Sequence, residues 1–203
     1  FPTERIRVIP EAPRRLPAGQ QSRPDDRPYL LCVGTAEPGK RAVDAIRALA
    51  MIPGEARPAL VLAGHPGPLS GPLRREAERL GVAGDVEFAG YVEDSALGAL
   101  IAGATALVFP SLYEGFGLPP LEAMALGTPV IATNAPAMDE VLGTAAAFVP
   151  RRDPAAIARE VTRLLADPGR REELRGRGLE QASRYSWTRT ADETAAVYRE
   201  VAA

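Results

Sequence analysis

Scarcity narrows the chemistry of this chain first. Its 203 residues hold one cysteine, one histidine and one tryptophan, and only 5% are aromatic. A single cysteine excludes an internal disulfide framework, which suits a reducing cytoplasm, the expected location. Cys32 stands in the apolar run YLLCVG, where burial rather than reactivity is the expected fate of a thiol. With so few soft ligands and no D-x-D triplet, a metal-binding cluster is hard to assemble, and no metal is expected. No apolar run approaches the ~20 residues a membrane-spanning helix needs. Phe1 opens the chain without methionine, charged leader or apolar signal region, so a piece of a longer protein is expected. The slightly acidic charge of -2, without basic blocks, argues against nucleic acid as a partner.

What is present describes an ordinary folded domain, with 46% apolar residues to fill a core and 25% charged residues to cover it. Six short apolar runs alternate with helical patterns: YLLCVG, PALVLAG, VEFAG, TALVFP, PVIAT and AAFVP. This alternation predicts an α/β fold, a Rossmann-like doubly wound parallel sheet of about six strands with helices on both faces. Val43, Ile46, Ala50 and Met51 recur at helical spacing after the first run. Asp153 and Pro154 read as cap and first residue of a later helix with the stripe Ile157, Val161, Leu164 and Leu165. Residues 10–28 are Pro-rich and polar and read as a linker or an extended lead-in. The charged runs RRDP and GRREELRGRG read as a solvated helix face.

Three runs end in glycine, at Gly34, Gly64 and Gly90. In open parallel sheets the ligand crevice lies beyond the carboxyl ends of the strands, where glycine lets backbone approach a ligand. Turn glycines are common for structural reasons, but three at equivalent ends favour a site. The stretch SLYEGFGLPPLEAMALGTPVIAT adds a second signal. Pro119 and Pro120 fit only a helix start and Gly127 a helix stop, which predicts a helix over 118–126. Gly115 and Gly117 before it leave backbone amides uncovered at a helix N-terminus, a place for phosphate. Glu122 can be a helix-dipole carboxylate, whereas Glu114 on the rim has no such local reason and suits a polyhydroxylated ligand.

A third signal is independent. Lys40 in GTAEPGKRA is the only lysine, every other basic residue being arginine. It follows the first strand, where an ammonium can meet a diphosphate as a compact point charge. His65 in AGHPG is more often a structural loop residue than a ligand contact at such a place. Trp187 in YSW reads as a packing anchor.

These stretches together resemble the retaining glycosyltransferases often called glycosyltransferase family 4. Glu114 and Glu122 match the family's E-x7-E signature, with VGTAEPGKR, LVLAGHPG, VEFAGYVEDSALGALIAGATALVFPS, EVLGTAAAFVPRRDPAAIA and YSW in family order. The resemblance implies one half of a two-domain GT-B enzyme, its C-terminal, donor-binding domain. Residues 1–28 would lead in from an N-terminal acceptor domain, 29–185 would form the Rossmann-like domain and 186–203 a closing helix. The implied substrate is a nucleoside diphosphate sugar, the implied reaction hexose transfer with retention, and no cofactor is required. Glu114 would face the transferred sugar, as nucleophile or as an orienting charge, and Glu122 would hold the ribose hydroxyls. Backbone at Gly115, Phe116, Gly117 and Leu118 would meet the phosphates, with Lys40 and Arg41 neutralising them. Gly34, Thr35 and Gly64 would line the crevice, and Tyr91 and Val92 would frame the base. Any membrane contact would belong to the acceptor domain. Many members carry arginine where this chain has Thr35 or Gly39, which places more of the diphosphate charge on Lys40. A non-catalytic nucleotide-sugar-binding module is the alternative. A receiver-like signalling domain would need its lysine at a late strand.

Overall fold

A computed structural model describes residues 2–17, 19 and 27–202. Six strands form where the apolar runs stand: β1 (Tyr29–Val33), β2 (Ala59–Ala63), β3 (Val86–Gly90), β4 (Ala106–Phe109), β5 (Val130–Thr133) and β6 (Ala147–Val149). All neighbouring pairs are parallel, in the order β3-β2-β1-β4-β5-β6. The central strands are continuous apolar runs because both faces of the sheet are covered. Successive side chains go to opposite layers: Leu31, Val61 and Leu107 to one, and Leu30, Leu60, Val108 and Ile131 to the other. The strand order reverses between β1 and β4, and a crevice opens there beyond the strand ends. The predicted Rossmann-like α/β sheet is thus the observed one.

Eight helices accompany the sheet among the described residues: α1 (Ala42–Ala50), α2 (Ser70–Arg79), α3 (Asp94–Ala102), α4 (Leu118–Ala125), α5 (Met138–Leu142), α6 (Pro154–Ala166), α7 (Pro168–Ser183) and α8 (Trp187–Ala202), the last with no buried residue. The predicted helical stripe lies on α1, where Ile46 is buried and Val43 and Ala50 pack half-buried against the core; only its far end differs. Ala45, Ile46, Leu49 and the following Ile52 are buried while Met51 is exposed. The buried face also carries Asp44, which a hydrophobicity pattern discounts; Arg41 satisfies it through Nε and Nη2 at 2.9 and 2.6 Å. On α6 the expectation holds. Asp153 accepts from the amide of Ala156 at 2.8 Å, and Ile157, Val161 and Leu164 are buried, with Leu165 half-buried.

Three expectations are refined by the packing. The run GRREELRGRG is more than a solvated face, because Arg171 donates to the carbonyls of Leu164 and Leu165 and Gly178 packs on Met124 of α4. Of the two readings of the lead-in, its described part fits the extended segment, with no helix or strand from Ile6 to Pro17, and not the free linker: Ala12 and Leu16 are buried, and Pro17 lies against Gly98 of α3. Residues 18 and 20–26 of that stretch lie outside the described residues. Trp187 stays 47% exposed and anchors the lead-in with a hydrogen bond rather than by burial, Nε1 donating to the Pro13 carbonyl at 3.2 Å. Thr190 Oγ1 donates to the Pro10 carbonyl beside it. No described helix is long and apolar enough to cross a membrane.

Candidate functional site

The three strand-end glycines all adopt positive φ: 145° at Gly34, 152° at Gly64 and 69° at Gly90. Gly64 shows the reason most clearly, since a Cβ there would stand 2.1 Å from the Gly34 carbonyl oxygen. Its amide donates to the Gly90 carbonyl at 2.7 Å, so the strand ends are drawn together into the floor of a crevice.

Beyond β1 a short turn, Pro38–Lys40, carries the lysine over this floor. The Gly39 carbonyl accepts from the amide of Leu112, which ties the turn to the loop after β4. Lys40 and Glu114 therefore meet. Nζ donates to both carboxylate oxygens, at 2.7 and 2.9 Å, and stands 5.7 Å from the Phe109 ring centroid. The Glu114 side chain is 11% exposed and that of Lys40 33%, so the pair is shielded on the acid's side and open on the lysine's. A cavity of about 130 Å³ lies alongside, lined by Gly34, Lys40, Gly64, His65, Phe109 and Ser111 among others. Ser111 is buried, and its Oγ has no protein partner. Cys32 also borders this cavity, but burial pushes its thiol up to about 12, so it is no nucleophile near neutrality.

A second recess of about 160 Å³ adjoins the first and shares Gly34, Thr35, Gly64 and His65 with it. Its far side is Tyr91, Val92, Asp94 and Arg14. Tyr91, 53% exposed, stacks on His65 at 4.5 Å between ring centroids. The histidine expected to be merely structural thus borders both recesses.

The Gly-rich turn before α4 is as bare as its composition suggests. Pro119 and Pro120 have no amide hydrogen, and the amide of Leu121 reaches the Gly117 carbonyl at 3.5 Å. Among the described residues the amides of Gly115, Phe116, Gly117 and Leu118 make no such bond, leaving donors at the positive end of α4. Gly117 has φ 102°, and a Cβ there would meet Met138 Cε at 2.5 Å. Phe116 contributes backbone only, for its ring packs edge-on against Tyr185 at 5.7 Å.

Glu122 sits on α4 with a side chain 1% exposed and is paired with Arg14 of the lead-in. The two glutamates of the signature thus enter different ion pairs. Arg41, the other expected diphosphate partner, is engaged by Asp44, which raises its pKa further; Lys40 and Arg74 are the basic residues that line the first cavity. Arg14 and Asp94 are the site residues that sequence reasoning missed. Arg14 lies in a stretch that reads as linker, and its partner is 108 residues away. No three His, Cys, Asp or Glu side chains gather into a metal-ligand group among the described residues.

A family model, described as glycosyl transferases group 1, matches residues 17–181. Relatives include the O-antigen chain mannosyltransferase B of Escherichia coli, 37% identical over 94% of this chain and 51% of that protein. The D-inositol 3-phosphate glycosyltransferase 2 of Catenulispora acidiphila is 36% identical over 86% of this chain and 44% of that protein. This chain thus spans about half the length of these relatives. Among solved structures, sucrose-phosphate synthase from Thermosynechococcus elongatus superposes with TM-score 0.78 at 29% identity, over 94% of this chain and 49% of that one. Anabaena HepE in complex with UDP and glucose has the same fold, with TM-score 0.80 at 21% identity over 86% of this chain and 49% of that one. The match over most of its length, on the very stretches that build the crevice, makes this chain a member of the group 1 glycosyltransferases.

Proposed function

We propose that this chain is the nucleotide-sugar donor-binding domain of a retaining glycosyltransferase, passing a hexose from a nucleoside diphosphate sugar to an acceptor. One observation carries the proposal: the only lysine is paired with Glu114 beside a row of unbonded amides at the mouth of the crevice. The mannosyltransferase among the relatives supports the substrate class. Lys40 and the amides near Gly117 and Leu118 take the diphosphate without a divalent ion. Tyr91 and Val92 frame the base, Glu122 serves the ribose and Glu114 faces the sugar. The acceptor side of the cleft comes from an N-terminal domain of the same enzyme.

The chemistry follows from charge. As the glycosidic bond breaks, its electron pair stays on the phosphate oxygen and positive charge grows at the sugar. Lys40 and the α4 amides favour the first change, while the Glu114 carboxylate orients sugar hydroxyls and favours the second. The acceptor oxygen then bonds to the anomeric carbon with retained configuration, and its proton passes to the departing diphosphate oxygen that kept the electron pair.

Calorimetry of the chain with UDP and GDP, with and without a chelator, tests the donor role. Binding that survives chelation is expected, together with no sugar transfer by this chain alone. Failure to bind either nucleotide, binding that needs the metal, or turnover without the second domain would each overturn that part.

A further inference from the structure

Arg14 belongs to the lead-in before β1, yet its guanidinium lies between carboxylates of two helices. Nε and Nη2 donate to the two oxygens of Glu122 at 2.6 and 3.2 Å, and Nη1 donates to Asp94 Oδ1 at 2.6 Å. Only a planar fork makes this pattern, since a lysine offers a point charge without the paired geometry. The contact with Glu122 is the main reason its pKa is raised.

Burial decides what the contact is for. Glu122 is 1% exposed, and a carboxylate so enclosed is costly without a counter-charge. Arg14 is the cation that supplies it. Arg14 and Asp94 also wall the recess that holds Tyr91 and Val92, whereas Glu122 does not reach its lining. The arginine therefore connects the enclosed acid to the recess. Three of its five N–H donors are used, and each Glu122 oxygen keeps capacity for a further bond.

We infer that Arg14 is a positioning residue for the nucleoside half of the donor site. It holds the Glu122 and Asp94 carboxylates in fixed relation across α4 and α3. The lead-in is then a working part of the donor site rather than a tether. The inference rests on the donor-domain reading proposed above.

The test compares wild type, Arg14→Ala, Arg14→Lys and, as a control, the exposed Arg15→Ala. Each is titrated by calorimetry with UDP, GDP and inorganic pyrophosphate, and its melting temperature is recorded. Arg14→Ala should lose at least about tenfold in affinity for the preferred nucleotide, the scale of one charge-assisted hydrogen bond. Pyrophosphate, which reports the Lys40 side alone, should bind as to wild type. Arg14→Lys restores charge without the fork and should fall between; it also serves if the alanine variant does not fold. Equal losses for nucleotide and pyrophosphate with a lowered melting temperature would reduce Arg14 to a structural brace and overturn the inference. So would unchanged binding, or tighter binding, which would make Arg14 a plug over Glu122. If wild type binds neither nucleotide, the donor-domain reading fails and this inference with it; if only the Arg14 variants behave contrary to expectation, the donor reading stands.

Discussion

Lys40 shares its ammonium between two anions in turn under the proposed function: Glu114 when the crevice is open, the diphosphate when a donor is present. Lys40→Ala should therefore weaken nucleoside diphosphate binding by about 1.5–3 kcal/mol, the range for hydrogen bonds to charged groups, and leave a bare nucleoside unaffected. Glu114→Gln removes the competing anion, so nucleoside diphosphate affinity should hold or rise while turnover of the full two-domain enzyme falls about a hundredfold or more. Glu122→Ala should weaken nucleoside diphosphate and sugar donor alike, because ribose does not change during reaction. Titrations of this chain and rates of the whole enzyme separate the three; equal losses of binding for Glu114→Gln and Glu122→Ala would void the division of roles. Lys40 was legible in the sequence as the only lysine, Glu114 as an acid without a local structural reason, and Glu122 only through the family signature. Their partners were not. Lys40 finds Glu114 across 74 residues and Arg14 finds Glu122 across 108, distances at which no local spacing carries a signal.

Strands were the most readable elements, since a parallel strand buried on both faces must be an unbroken apolar run. Caps were nearly as readable. Asp153 with Pro154 announces α6 because an aspartate oxygen satisfies an amide the helix cannot, and proline gives up an amide that has no partner there. Asp153→Ala should cost about 1 kcal/mol of stability, seen as a lowered melting temperature, with nucleotide affinity unchanged. A matching loss of affinity would mean that α6 and the crevice are coupled. The face of α1 was harder to read, because Asp44 turns inward under Arg41 and a charged residue counts against burial in any apolar pattern. The lead-in misled for a related reason. Proline and arginine resemble linker composition, yet here the prolines supply carbonyls to Trp187 and Thr190 and an arginine supplies an ion pair.

Across the whole molecule, acid sensitivity has an identifiable contributor. Glu76 on α2 accepts from Arg79 on its own helix and from Arg47 on α1, and these contacts bring its carboxyl down to about 2. A carboxyl depressed in the folded state contributes stability that is complete above its unfolded value near 4.5 and is lost as pH falls toward 2. Glu76→Gln should thus lower stability near neutrality and flatten the loss between those values, as read from denaturant unfolding across that range; an unchanged acid limb would remove Glu76 from the account. The arginine-rich surface has one more outcome. With 23 arginines and a single lysine, the chain carries just one side-chain primary amine, and folding has placed it in the crevice. Apart from the α-amine that any chain carries, ordinary amine-coupling chemistry for dyes, biotin or sensor surfaces would consequently not spread over the exterior of the domain but would address the crevice itself, making immobilisation through side-chain amines the one orientation that blocks the site.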